Sequence, residues 1–418
     1  MLEPWRAKAS GTSQPTARLT PSPRAGEPFF RTQFAAQFFV PFPFRGSALF
    51  AAVSPPMSSS HLIFLGTYTR TGSSRGIYSV RLDRETGALS APILATEAID
   101  PGWIVLSPDR RHLYAIHPSP SQAIAFRVNP DTGTLAPLAS PAAGERAAPP
   151  SHLAVDATGR TLLAANYAEG YVAAIPIRGD GTLGSPSAIR HAGRSVHPTR
   201  QDKPHVHSVT LSPDNGFVIV ADLGLDRIFT YALDSAAARL SPGDPPFVTS
   251  FPGAGPRHFK FGAAAAGSAS GGGAHFGYAI NELDSTITTY AYDPVHGSLA
   301  PRQSISTLPP GFAETSTAAE LRVHPNGRFV YGCNRGHDSL AVFAVHPVDG
   351  TLFPVEIVPS GGRTPRNFAL SPDGRWLVCG HQDTDLLTVF AVDPASGRLT
   401  RTPHTAAVPT CICVLFFG

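Results

Sequence analysis

From His61 to the end of the chain, apolar residues come in short alternating runs cut by polar turns, and two kinds of turn recur in phase. The first kind lies within LSPDRRHLYAI at 106–116, VDATGRTLLAAN at 155–166, LSPDNGFVIVAD at 211–222, VHPNGRFVYGCN at 323–334 and LSPDGRWLVCG at 370–380. Each of these stretches reads as an apolar strand, a Pro/Asp/Gly hairpin turn and a second apolar strand. The second kind runs through RETGAL at 84–89, DTGTL at 131–135, GDGTL at 179–183, SAAARL at 235–240, VHGSL at 295–299, VDGTL at 348–352 and ASGRL at 395–399. Its leucines, Leu89, Leu135, Leu183, Leu240, Leu299, Leu352 and Leu399, stand 46 to 59 residues apart. That period belongs to an array of supersecondary units.

Within a unit the order is strand a, the SPDG turn, strand b, a polar turn, strand c, and the TGxL turn into strand d. Seven such units of four antiparallel strands predict an all-β, seven-bladed β-propeller. Residues 61–90 supply three strands with none before them, and TCICVLFFG at 410–418 supplies one spare strand. The N- and C-terminal strands are therefore expected to pair and close the ring.

This architecture sorts the turns by rim. PHVHS at 204–208, GPRHF at 255–259, TAAEL at 317–321 and TPRNF at 364–368 enter strand a; ADLGLDR at 221–227, NELDS at 281–285 and NRGHDS at 334–339 leave strand b. All seven converge on one rim near the axis. The other rim carries only SPDG and TGxL turns, for which hairpin chemistry is expected to suffice. The converging set offers His205, His207, His258 and His337 as proton carriers, Glu282 and Glu320 as carboxylates, and Arg257, Arg335 and Arg366 as anion clamps. Histidine exchanges protons near neutrality and arginine forks match phosphate or carboxylate oxygens, so the set reads as a site for a small polyanion. Each member also has a structural reading, such as an Arg335 pair with Asp338. NYAEGY at 166–171 adds aromatic surface to the same rim.

Composition narrows the alternatives. With 33 basic against 30 acidic residues and a net charge of +3, the chain shows no broad footprint for nucleic acid. No apolar run reaches the roughly 18 residues of a membrane span. Four cysteines are too few for a disulfide framework, and Cys411 and Cys413 are expected to point to opposite faces of one strand, so a reducing compartment is the natural setting. PHVH places two histidines on one strand face, with Glu282 or Glu320 able to complete a metal set. Three nearby arginines would repel a cation, however, and no metal or other cofactor is expected. No GxxxxGK[ST] phosphate loop and no CxxC pair occurs.

The first 56 residues are rich in Pro, Arg, Ser and Phe, contain only Glu3 and Glu27 as acids, and show no sustained period. They read as a dispensable extension before a propeller domain at 57–418. Their basic bias is similar to that of an organellar transit peptide, so the expected location is cytoplasmic, or mitochondrial if the extension acts as one.

RQDKPHVHSVTLSPD at 200–214, DLGLDRIFTYALD at 222–234, GPRHFKF at 255–261, NELDSTITTYAYD at 281–293, NRGHDSLAVFAV at 334–345 and GGRTPRNFALSPDGRWL at 361–377 resemble the seven-bladed propeller lactonases. That family contains 6-phosphogluconolactonases of the propeller type and fungal carboxymuconate cyclases, and the resemblance covers roughly 61–418. In the fungal cyclases the proposed site is a histidine, two arginines and a glutamate, which motif by motif fall on His207, Arg257, Glu282 and Arg335. His205, His258, Glu320, His337 and Arg366 are then expected around the substrate. The resemblance implies a small anionic lactone as partner, a monomer or weak oligomer, and hydrolysis of 6-phosphogluconolactone in the pentose phosphate pathway. His207 or Glu282 would serve as base, with Arg257 and Arg335 holding phosphate and oxyanion. A lactone-forming carboxy-cis,cis-muconate cyclase and a non-catalytic interaction propeller remain open; the latter predicts no buried pocket of His and Arg. Two features depart from the family pattern, the extension and the long AAAAGSASGGGA turn at 263–274.

Overall fold

The computed structural model describes residues 60–119, 122–138, 148–262 and 276–418. The extension with its boundary at 57, and the long turn at 263–274, lie outside the described residues. The described strands form seven four-stranded antiparallel sheets, the blades of a propeller. From blade 1 to blade 7 the innermost strands are Cys411–Phe416, Ile104–Leu106, His152–Val155, Val206–Leu211, Pro256–Phe261, Thr317–Val323 and Pro365–Leu370. Each packs against the next around a central channel, and the seventh packs against the first.

Blade 1 is the seam. The C-terminal strand Cys411–Phe416 lies innermost and pairs antiparallel with Ser60–Thr67, which is followed outward by Gly76–Asp83 and Ile93–Glu97. The expected sharing of one blade by the two chain ends is thus what closes the ring.

Hydrophobicity falls from the inside outward for a geometric reason. Second strands such as Thr161–Asn166, Phe217–Asp222 and Trp376–His381 are sandwiched between neighbouring blades and are buried along almost their whole length. Sequences such as FVIVAD therefore run apolar on both faces instead of alternating. The outermost strand Leu399–Ala407 alternates with solvent. The core is accordingly a ring of interblade clusters; Phe329, Tyr331 and Val342 of blade 6, for example, pack with Phe368, Leu377 and Phe390 of blade 7.

The far-rim TGxL turns do more than close hairpins, contrary to the expectation from turn chemistry. Gly350 of blade 6 has φ +72°, and a Cβ there would sit 2.4 Å from the Phe276 ring of blade 5; Gly397 of blade 7 meets Phe329 of blade 6 in the same way. Tyr278 Oη donates to the Gly350 carbonyl at 3.0 Å and Tyr331 Oη to that of Gly397 at 2.9 Å. Glycine is required both for the left-handed turn and for the approach of the preceding blade.

All four cysteines are buried and unpaired. Cys411 packs toward blade 7 and Cys413 toward blade 2, as expected, but for an unexpected reason. Residues two apart on a regular strand share a face; here Thr67 pairs with Cys411 and Gly66 with Cys413, so the extra residue Ile412 separates them. No helix among the described residues is long and apolar enough to cross a membrane.

Candidate active site

The bulge at Ile412 recurs around the channel. In blades 4, 5 and 7 the ladder between the innermost and second strands slips by one residue, at His207, Arg257 and Arg366. In blade 6, Ala319 and Glu320 together oppose Cys333. A bulge inserts an unpaired residue and re-aims its side chain. Ile412, His207, Arg257 and Arg366 all line one cavity of about 390 Å³ at the rim where strands a begin. Because Arg257 is the extra residue, both it and its neighbour His258 reach the cavity, which a regular strand forbids. Blades 1 to 3 give it an apolar sector of Ile412, Trp103, Ile116, Pro149 and Pro150, and blades 4 to 7 supply His207, Arg257, His258, Glu282, Arg335 and Arg366.

Glu282, on the turn leaving the second strand of blade 5, is the hub of the charged sector. Its Oε2 accepts from Arg257 Nε at 2.9 Å and stands 3.0 Å from Arg335 Nη2, and its Oε1 accepts from Arg200. Burial opposes its ionisation, but Arg335 and Arg257, with Arg200, hold the carboxyl well below the usual range. Arg257 is fixed further by Nη1, which donates to the Ala319 carbonyl and to His258 Nε2. Burial, then the like charge of Arg335, push its pKa down to about 10. Arg335 Nη2 also donates to the Ala318 carbonyl, and its Nε is buried without a partner.

The histidines form a neutral aromatic cluster. His207 and His258 rings are 5.2 Å apart, His258 and His152 5.3 Å, and His152 stacks on Trp103 at 4.0 Å. Burial, reinforced by Arg257 and His258, drives the His207 pKa well below its ordinary value. His207 Nδ1 has no hydrogen-bond partner. Arginine only donates, so His258 Nε2 must accept and its proton sits on Nδ1. That nitrogen lies 3.2 Å from Glu320 Oε2, without the alignment of a full hydrogen bond.

At the junction of blades 7 and 1 the environment differs. Arg366 Nη2 donates to Tyr68 Oη and Nη1 to Gln382 Oε1, both at 3.3 Å. The Arg70 guanidinium lies 4.6 Å from the Tyr68 ring centre and 3.5 Å from Asp100.

Of the residues singled out from the sequence, His207, Arg257, His258, Glu282, Arg335 and Arg366 converge on the cavity and three do not. His205 precedes the bulge, which breaks the shared face expected for PHVH; it stacks on Tyr167 at 4.3 Å and its Nδ1 meets the Tyr167 carbonyl. Glu320 is fully buried under His258, accepting from Asn367 Nδ2 and facing Arg322. His337 turns to Ser339 Oγ at 2.7 Å and to the edge of Phe312. Among the described residues, no group of His, Cys, Asp and Glu is arranged to hold a metal ion. Arg200, Tyr68, Arg70 and Trp103 were not anticipated. Arg200 opens the RQDKPHVHS motif, so its place there was the available signal; Tyr68 and Arg70 follow a strand with no unusual turn.

A non-catalytic propeller would lack this buried His and Arg pocket. The family model described as lactonase, 7-bladed beta-propeller, matches residues 62–416. A 6-phosphogluconolactonase of Bacillus subtilis is 36% identical over 365 residues, covering 86% of this chain and 99% of its own. One from Cronobacter sakazakii is 31% identical over 304 residues, covering 72% of this chain and 83% of its own. The structure of the periplasmic gluconolactonase of Pseudomonas aeruginosa superposes with a TM-score of 0.76 at 33% identity, over 86% of this chain and 99% of that one. Because that family model matches residues 62–416, well over half of the chain, the chain belongs to the seven-bladed β-propeller lactonase family.

Proposed function

We propose that this protein hydrolyses 6-phosphogluconolactone, or a closely related sugar lactone, to the open acid. The observation that carries the reading is the Glu282 hub, which sets the guanidiniums of Arg257 and Arg335 side by side in the cavity that His207 lines. The names of the relatives from Bacillus subtilis and Cronobacter sakazakii support the same reaction.

Hydrolysis of a lactone needs a base for water, donors for the tetrahedral oxyanion and a proton for the departing ring oxygen. His207 is assigned as the base: it is uncharged at neutral pH and can accept a proton from water. Glu282 is too weak a base while three guanidiniums face it, and its role is to hold Arg257 and Arg335. A guanidinium carries five N–H donors, and neither arginine spends all of them within the protein. The remaining donors are assigned to the oxyanion as the carbonyl oxygen becomes charged. The imidazolium of His207 then returns its proton to the ring oxygen as the C–O bond breaks.

We assign the enzyme to the cytoplasm, or to the mitochondrion if residues 1–56 act as a transit peptide, working as a monomer or weak oligomer; its unpaired buried thiols support a reducing compartment. Residues 1–56 are assigned no part in the reaction. The test is to assay the purified full chain against 6-phosphogluconolactone and against carboxy-cis,cis-muconate. Enzymatic lactone opening is expected; turnover of muconate alone would overturn the reading.

A further inference from the structure

The names of the relatives differ by one phosphate, and two ends of the cavity differ in how their arginines are balanced. Four arginines and two carboxylates line it. Arg257 and Arg335 share Glu282 with Arg200. Asp100 accepts from the backbone amides of Thr69 and Arg70, at 2.8 and 3.0 Å, so it holds the loop that carries Tyr68 and Arg70 and also faces the Arg70 guanidinium. Arg366 is the exception: its hydrogen-bond partners, Tyr68 Oη and Gln382 Oε1, are both neutral and both long at 3.3 Å. Its charge is felt as repulsion at Arg335 and Arg257. An anion beside Arg366 relieves that repulsion and exchanges two weak bonds for a charge-assisted fork.

Position round the ring agrees. His207 stands on blade 4, Arg257 and Arg335 on blades 5 and 6, and Arg366 on blade 7 beside the Tyr68 loop of blade 1. In a six-membered sugar lactone the carbonyl carbon and the carbon bearing the phosphorylated side arm flank the same ring oxygen. One small molecule can therefore offer its carbonyl to blades 4 to 6 and its phosphate to the junction of blades 7 and 1.

We infer that Arg366, supported by Tyr68 and Arg70, is the phosphate-reading end of the site and sets the preference for a phosphorylated over an unphosphorylated lactone. This rests on the hydrolase reading for its substrate, and it removes phosphate binding from Arg257 and Arg335.

The test compares the full-length wild type with Arg366→Gln and Arg366→Lys on 6-phosphogluconolactone and on gluconolactone. Calorimetric titration with 6-phosphogluconate and with gluconate accompanies the assays, and thermal melts check the fold. Arg366→Gln is expected to lower the ratio of kcat/KM for the phosphorylated over the plain lactone on the order of 100-fold, chiefly through KM. It should weaken 6-phosphogluconate binding by a similar factor, and lysine should restore part of both. Equal losses on the two lactones, or unchanged 6-phosphogluconate binding in the folded Arg366→Gln protein, overturn the assignment. If the wild type opens neither lactone, the hydrolase reading fails, and the calorimetry still decides the phosphate site.

Discussion

Arg335 reaches Glu282 on the neighbouring blade at 3.0 Å, while Asp338, three residues along in its own turn, is taken up by the backbone amides of Gly336 and Thr364. The arginine and the aspartate of NRGHDS therefore serve different ends. Arg335→Ala is expected to lower kcat/KM about 100-fold, equivalent to ~3 kcal/mol of lost transition-state interaction, with partial rescue by lysine. Asp338→Ala should instead lower the melting temperature, because it frees two amides and puts alanine at φ +53°. Kinetics and melts on both variants check this; destabilisation without kinetic loss in Arg335→Ala would count against the clamp.

Glu282→Gln keeps the shape and removes the charge that three arginines share. Breaking a buried ion pair costs about 3–5 kcal/mol, so both stability and activity should fall. A general base lost at this position would reduce kcat and leave the melt unchanged. The folded pKa of Glu282 is depressed, so its contribution to stability is complete above the ordinary carboxylate value and is lost as pH falls toward the folded pKa. Melts of wild type and variant should converge at acid pH.

His207 is expected to govern the acid limb of the rate profile. Its pKa lies well below 6.5, so kcat/KM should be flat near pH 7 and fall only at distinctly lower pH, as the base becomes protonated. His207→Gln should lower kcat by about 10²–10⁴ and abolish that limb. His152 and His258 are depressed as well, and the unfolded chain takes up their protons first. Stability should therefore decline as pH drops below 6.5, which denaturation at several pH values will show.

Deleting TCICVLFFG removes the innermost strand of blade 1 and exposes the edge of Ser60–Thr67, so the truncated protein should fail to melt cooperatively. A melt at the parental temperature would refute this. Deleting residues 1–56 should leave both the melt and the kinetics as they are.

Much of this was legible because turn chemistry is local. SPDG and TGxL each identify a hairpin from four or five residues, and their phase yields blades, closure and the functional rim. The bulges were hidden, since an extra residue exists only relative to a partner strand; nothing in PHVHS marks His207 as the unpaired position. Arg200 was passed over because it meets Glu282 only through tertiary folding. The glycines of TGxL looked like turn residues alone because the ring pressing on each belongs to another blade.

The seam in blade 1 also sets a timetable. Ser60–Thr67 is the first of the described strands to be made, and its partner Cys411–Phe416 is the last of them. At translation speeds of about 5–20 residues per second, the nascent chain carries that open edge for roughly 20–70 s before its partner emerges. During this interval the blade is a template for strands of other chains. The yield of native protein should therefore depend on how well the cell shields one β-edge during synthesis.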